Sequence, residues 1–208
     1  MAERAILVLG AGGHGKAVLD LLLASGEFAL AGVVDASPRV AAILGVPVLG
    51  DEEAAARAFA NGVGFAHPAI GANAARLAAG ARLQAMGFAL PALRHPTAVI
   101  GHGATLAEGS VVMARAVIGP DVVIGRLALI NTGAIVEHDC VVEEGAHLAP
   151  GVVLAGGVRV GARAMLGAGA VVLPGVSIGA DAIIGAGAAV TGNVAAGTTV
   201  AGVPARGV

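Results

Sequence analysis

The residues best suited to chemistry gather in one short stretch. His138 stands between Glu137 and Asp139, with Asn131 seven residues before it and His147 nine residues after it. Histidine changes charge near neutral pH, so it is the natural general base for an amine or hydroxyl attacking an acyl carbonyl. Such a base contributes roughly 10²–10⁴ in rate. A neighbouring carboxylate would hold its tautomer and stabilise the imidazolium. Adjacent side chains of an extended chain point to opposite sides, so only one of Glu137 and Asp139 is expected to reach the ring, and the order of residues leaves open which. Three other readings compete. The stretch could be a solvated polar turn. It could hold a metal through His138, His147 and a carboxylate, although two histidines without a closed ligand set make a poor metal site. Cys140 could be a nucleophile, yet its position suits a small buried residue.

A second cluster lies near the start, where Gly10-Ala11-Gly12-Gly13-His14-Gly15 follows the apolar run Ile6 to Leu9. Gly10, Gly12 and Gly15 satisfy G-x-G-x-x-G, and Asp35 follows where a ribose-binding acid would sit, so the literal reading is a dinucleotide site. Fewer than a hundred residues precede the repeats described next, too few for the usual double βαβαβ unit. Gly10 to Lys16 also spells a P-loop, but Ala17 replaces the hydroxyl that would hold Mg²⁺. A third reading keeps the exposed N–H groups at a helix start as a seat for the phosphate of one nucleotide-sugar, with Asp35 beside it. A tight turn without ligand is the fourth.

The elements that must position these residues have two different periods. From Ile100, every sixth residue through Val190 is a branched aliphatic, sixteen in unbroken succession. A period of six fits a short strand and a tight turn, repeated so that one aliphatic side chain per sextet points inward. Three sextets close a triangular coil, and the coils stack as parallel sheets. Gly101, Gly119, Gly125, Gly161, Gly167, Gly179 and Gly185 each follow the aliphatic residue, and glycine there is read as serving corners that need positive φ. Sixteen sextets make about five coils, or roughly 25 Å at the ~4.8 Å strand spacing.

The first hundred residues read as a small βαβ-type domain with a parallel sheet. Strands are expected at Ile6–Leu9, at Ala31–Val34 ending in Asp35, and within Phe65–Gly71. Helices are expected after the glycine loop, with Ala17, Val18, Leu21 and Leu22 inward, over Asp51–Ala60 with Asp51 as cap, and over Asn73–Met86. Pro91 and Pro96 interrupt periodicity at the boundary, and the domains are drawn at 1–94 and 95–208. A net charge of −2, 2% aromatics and no Trp or Tyr exclude nucleic-acid binding by charge or stacking. Mean hydropathy is +0.88, but charges and glycines interrupt every apolar run, so no membrane span is expected. A single cysteine and a polar opening from Met1 to Arg4 without a leader point to the cytoplasm.

Together these features resemble the nucleotide-sugar and sialic acid acyltransferases of the left-handed β-helix superfamily. The resemblance rests on the glycine loop, Val33-Val34-Asp35, Ile70-Gly71-Ala72-Asn73 with Arg76, His95, the stretch from Asn131 to His147, and the ending Gly202-Val203-Pro204-Ala205-Arg206. It implies a Rossmann-like nucleotide-sugar-binding domain followed by a left-handed parallel β-helix. It also implies a homotrimer with active sites between neighbouring β-helices. The implied reaction moves acetyl from acetyl-CoA, without a metal, to the amine of a nucleotide-linked sugar, with a 4-amino-4,6-dideoxyhexose of perosamine or bacillosamine type favoured. By position, His138 would be the base and Asp139 its partner. Gly12, Gly13, His14, Asp35 and Asn131 would hold the sugar nucleotide, and His147, Gly156, Ala168 and Ala186 the acetyl-CoA. Gly12 stands where some relatives have Ser, and Asp35 stands alone where some have an acidic pair, which leaves UDP and GDP both open. The alternatives are O-acetylation of a sialic-acid-type sugar and a non-catalytic β-helix trimer.

Overall fold

The structure, a computed structural model, describes residues 4–208, so of the polar opening from Met1 only Arg4 lies within it. It divides into two units, one ending at Pro96 and the other spanning Thr97–Val208.

In the first unit the near-continuous apolar run Ile6–Leu9 makes the buried strand β1 (Ala5–Leu9), with Ile6, Leu7 and Val8 fully buried. It pairs in parallel with β2 (Ala29–Val34), and the sheet order is β3-β4-β2-β1-β5 once β3 (Ala42–Ile43), β4 (Val46–Gly50) and β5 (Phe65–Pro68) are added. Helix α1 (Gly13–Ser25) turns Val18, Leu19, Leu21 and Leu22 inward and is closed by Gly26 in the left-handed region, whose N–H reaches Leu22 O at 3.1 Å. Ala17, expected inward, is only half-buried, and Leu19 takes that place. Asp51 caps α2 (Glu52–Ala60) as expected, accepting from Glu53 N–H at 3.1 Å. Helix α3 (Asn73–Ala85) ends one residue short of the expected Met86, which is its C-cap. The β3–β4 hairpin was not foreseen. Its turn places Leu44 and Gly45 at φ of 50° and 81°, and a leucine is not the residue that signals such a turn.

The second unit is a left-handed parallel β-helix. Strands two residues long pair with those eighteen residues on, as in Val117↔Ile135 and Ile118↔Val136, which is the three-sextet coil predicted from the period. The sixfold aliphatic positions fill the interior from Val112 to Val190, and a second inward row of small residues follows four positions later, among them Ala134, Cys140 and Ala146. Burying each Leu, Ile or Val fully is worth roughly 1.5–3 kcal/mol. Exposed pairs such as Arg126–Glu108 (2.9 Å) and Arg163–Asp181 (2.6 Å) are screened by water and add little, so the inward rows hold the stack.

The corner glycines correct one expectation. Those that follow the aliphatic residue do not have positive φ; they let the next coil approach, since a Cβ on Gly161 would lie 2.5 Å from Ala180 N. Positive φ falls two positions later and recurs every six residues. Glycine often fills it, but so do Arg115, Asp121, Leu127, Asp139, Arg163 and Asp181. No helix among the described residues is long and apolar enough to cross a membrane.

Candidate active site

His138 and Asp139 form one corner of the β-helix, between the strands Ile135–Val136 and Val141–Val142. Asp139 occupies the recurring left-handed position, at φ 60°, and the turn brings its carboxylate alongside its own neighbour. His138 Nδ1 and Asp139 Oδ2 are 2.7 Å apart. The alternation that holds for strand residues fails at this corner, and Asp139, not Glu137, is the acid hydrogen-bonded to the ring. His138 is raised above the ordinary histidine range by that hydrogen bond first; desolvation opposes it, and the charges of Asp139 and Glu137 add to the rise. The ring is open to solvent, with its side chain 59% exposed. Cys140 is fully buried, its Sγ donates to Ala155 O at 3.2 Å, and burial pushes its thiol up, which removes it as a nucleophile.

Asn131 and His147 meet at the preceding corner. Thr132 N–H donates to Asn131 Oδ1 at 2.8 Å, which turns the amide nitrogen toward His147 Nε2 at 3.4 Å. An amide NH₂ can only donate, so this contact is a hydrogen bond in the tautomer whose Nε2 accepts. Ala168 and Ala186 are exposed on this same corner, one coil apart, with Gly187 N–H bonded to Ala168 O at 2.8 Å. Gly156 is not with them. It lies one coil from His138, against its imidazole. The expected site residues of the β-helix thus fall into two groups on two of its corners. Among the described residues no three His, Cys, Asp or Glu side chains come together as a metal site.

In the first unit the glycine loop joins β1 to α1. Gly15 packs so closely on Gly10 O that no Cβ fits, the role of the third glycine in the motif. Asp35 accepts Ala11 N–H at 2.7 Å and Ser37 N–H at 2.9 Å, so its carboxylate ties the loop to the end of β2. Two cavities flank Ala11 and Gly12. One, of about 370 Å³, is lined by Gly13 and Lys16 on one side and Val40, Ile43 and Leu44 on the other. The second, of about 310 Å³, is lined by Asp35, Ser37 and Arg39. Gly12 gives the start of α1 no capping side chain, so its first N–H groups are placed for an anion. Lys16, Arg39 and the Val40–Leu44 wall were missed as site residues. In the sequence Lys16 marks only the end of a P-loop pattern, and the wall belongs to the β3–β4 hairpin, which the sequence does not signal.

His14, expected to touch ligand, turns partly inward. Its Nε2 is buried without a partner, and burial, then Arg76, lowers it to about 4. His67 of β5 is fully buried, with neither nitrogen partnered, and burial, then His14 and Arg76, lowers it to about 3. His14 is therefore neutral at pH 7 and adds no charge for a phosphate.

The PglD N-terminal domain family matches residues 5–83, and the bacterial transferase hexapeptide (six repeats) family matches residues 157–192. Among solved structures, the chain is similar to a variant of perosamine N-acetyltransferase from Caulobacter crescentus in complex with CoA and GDP-perosamine. The identity is 45%, the match covers 98% of this chain and 96% of that one, and the TM-score is 0.95. It is also similar to the acetyltransferase domain of PglB from Neisseria gonorrhoeae in complex with acetyl coenzyme A, at 34% identity, 100% of both chains and a TM-score of 0.92. WeeI from Acinetobacter baumannii shares the fold at 24% identity over 98% of this chain and 99% of that one, with a TM-score of 0.72. Comparison with curated proteins gave no match. With 45% identity over nearly its whole length, the chain belongs to the hexapeptide-repeat sugar N-acetyltransferases that carry a PglD-type N-terminal domain.

Proposed function

We propose that the protein transfers the acetyl group of acetyl-CoA to the amine of a nucleotide-linked 4-amino-4,6-dideoxy sugar, with His138 as general base and Asp139 as its orienting partner. The observation that carries this reading is the 2.7 Å His138–Asp139 pair on an open corner of the β-helix. The similar protein in complex with CoA and GDP-perosamine supports a GDP-linked acceptor, and the PglB domain in complex with acetyl coenzyme A supports the donor.

Asp139 accepts the Nδ1 proton, which leaves Nε2 of the neutral ring to take a proton from the acceptor amine. The amine nitrogen forms its bond to the thioester carbonyl, the C–S bond breaks, and the imidazolium returns the proton to the departing CoA thiolate. Backbone N–H groups of the coil corners supply donors for the oxyanion. The loop Ala11–Gly13, with Lys16 at the helix start, takes the diphosphate, and the apolar wall of Val40, Ile43 and Leu44 takes the base.

The active form is a homotrimer. The outer face between the two site-bearing corners carries Val99, Val117, Ile135, Val153, Val171 and Ala189, an apolar row on which a second copy would pack. Such packing sets the His138 corner of one copy against the Asn131 and His147 corner of the next, joining groups that one chain holds apart. Use of acetyl-CoA and a lone buried cysteine fit the cytoplasm.

The test is CoA release from acetyl-CoA with GDP- and UDP-linked 4-amino sugars, alongside His138→Asn. Thiol release with one acceptor, lost in the variant, and an alkali-stable amide product are expected. An alkali-labile ester would mean a hydroxyl acceptor, and full activity of His138→Asn would overturn the assignment of the base.

A further inference from the structure

Gly156 lies on the coil next to His138, on the same corner. A Cβ built there would stand 2.6 Å from both Cε1 and Nε2 of His138 and 3.3 Å from its Cδ2. These are the three atoms nearest to it, and all belong to one side chain. The Cε1–Nε2 edge of the imidazole therefore occupies the space that any other residue at 156 would fill. The collision differs from those at Gly161 or Gly167, where the opposing atoms are backbone of the next coil. Gly156 does not have the left-handed backbone; its neighbour Gly157 does, at φ 70°, and donates its N–H to His138 O at 2.9 Å. An alanine at 156 is thus permitted by the backbone, and the side chain its methyl group would meet first is the imidazole.

The expectation from family position had put Gly156 along the acetyl-CoA path. We infer that Gly156 is a positioning residue for His138: its missing side chain leaves room for the imidazole in the orientation that gives Nδ1 to Asp139. The inference rests on His138 being the base. With a methyl group at 156, the ring must swing out toward solvent, because the coil corner beneath Cβ is held in the ladder by Gly175 N–H to Gly156 O at 2.9 Å. Leaving its place, the ring loses Asp139.

The test is Gly156→Ala, read in three ways. NMR titration of His138 in the ligand-free protein should show its pKa falling toward the ordinary value as the Asp139 hydrogen bond is lost. The kcat should drop by about 10², the scale of an ångström-sized misplacement, with the KM for acetyl-CoA within about twofold of the parent. Thermal melting should stay close to the parent, since an exposed ring moves and no backbone is forced. The double variant Gly156→Ala, His138→Ala should melt with His138→Ala alone, because the collision is gone. A weakened affinity for CoA with the His138 titration unchanged would overturn the inference and return Gly156 to the cofactor path. An unchanged titration with unchanged kcat would also overturn it. If His138→Ala proves fully active, the reading of the base fails, while the titration of His138 in Gly156→Ala still decides whether the glycine sets the ring.

Discussion

At the residue scale, the His138–Asp139 pair depends on one backbone conformation. Asp139 stands at φ 60°, a region that Asp and Asn tolerate better than other side-chain-bearing residues. Asp139→Asn therefore keeps the turn while removing the charge. His138, held above its ordinary range chiefly by this hydrogen bond, should then titrate lower. The base works only when neutral, so the acidic limb of the pH profile of kcat/KM should move to lower pH in the variant. The plateau should fall by roughly 10² as the imidazolium loses its partner. A profile with an unmoved acidic limb would show that another group limits the reaction. His138 and its two acids were plain in the sequence, but the choice between the acids was not. Alternation of side chains is a rule for strands, and residue 139 is a corner. Nor could sequence order alone pair Asn131 with His147, because their contact crosses from one coil to the next.

At the element scale, the β-helix uses glycine for two unrelated reasons, and substitutions should separate them. A Cβ on Gly161 meets backbone atoms of the next coil at 2.5–3.0 Å, and neither strand can yield without breaking the ladder. Gly161→Ala should cost about 1–3 kcal/mol or more in urea unfolding, as overpacking does. Gly175 has φ 69°, with nothing within 4 Å of an added Cβ, and other corners hold Asp or Arg at its equivalent. Gly175→Asn should stay within about 1 kcal/mol of the parent. Equal losses at both positions would mean that the two classes are not distinct. The repeat was legible because one inward aliphatic per sextet is an unbroken signal over sixteen sextets. The β3–β4 hairpin was not, because a two-residue strand carries no measurable period and Pro47 obscures its partner. That omission hid the apolar wall of the glycine-loop cavity, which is why that side of the cavity could not be drawn from the order of residues.

At the scale of the whole molecule, its buried histidines make the first unit the more sensitive of the two to acid. His67 is fully buried with no partner for either nitrogen, near His14 and the Arg76 guanidinium. Arg76 is itself held by Ile70 O and Gly71 O, each at 3.0 Å, and by Asn73 Oδ1 at 3.1 Å, and burial lowers it to about 10. A proton added to His67 in the folded state would be a second buried charge beside that cation. With the folded value near 3 and the unfolded value near 6.5, the unfolded chain binds the proton first. Stability attributable to His67 is therefore intact above about pH 6.5 and declines as pH falls toward 3, by up to roughly 1.4 kcal/mol per pH unit. His14, near 4 when folded, adds to the same trend over the upper part of that window. In the β-helix the shifted groups lie in water, which screens them, and they oppose each other: His138 is raised by Asp139, so its contribution is lost as pH rises, and Asp181 is lowered by Arg163, so its contribution is lost as pH falls. Acid should unfold the first unit while the coils remain. Replacing His67 by Phe removes the titrating group without stranding a hydrogen-bond partner. His67→Phe should match the parent in melting temperature and CoA release at pH 7, and should lose much less melting temperature than the parent between pH 6.5 and 4.5. A variant that keeps the parent's full acid sensitivity would place the weak point elsewhere, whereas one that flattens it would make this buried histidine the group that sets the acid limit of the first unit.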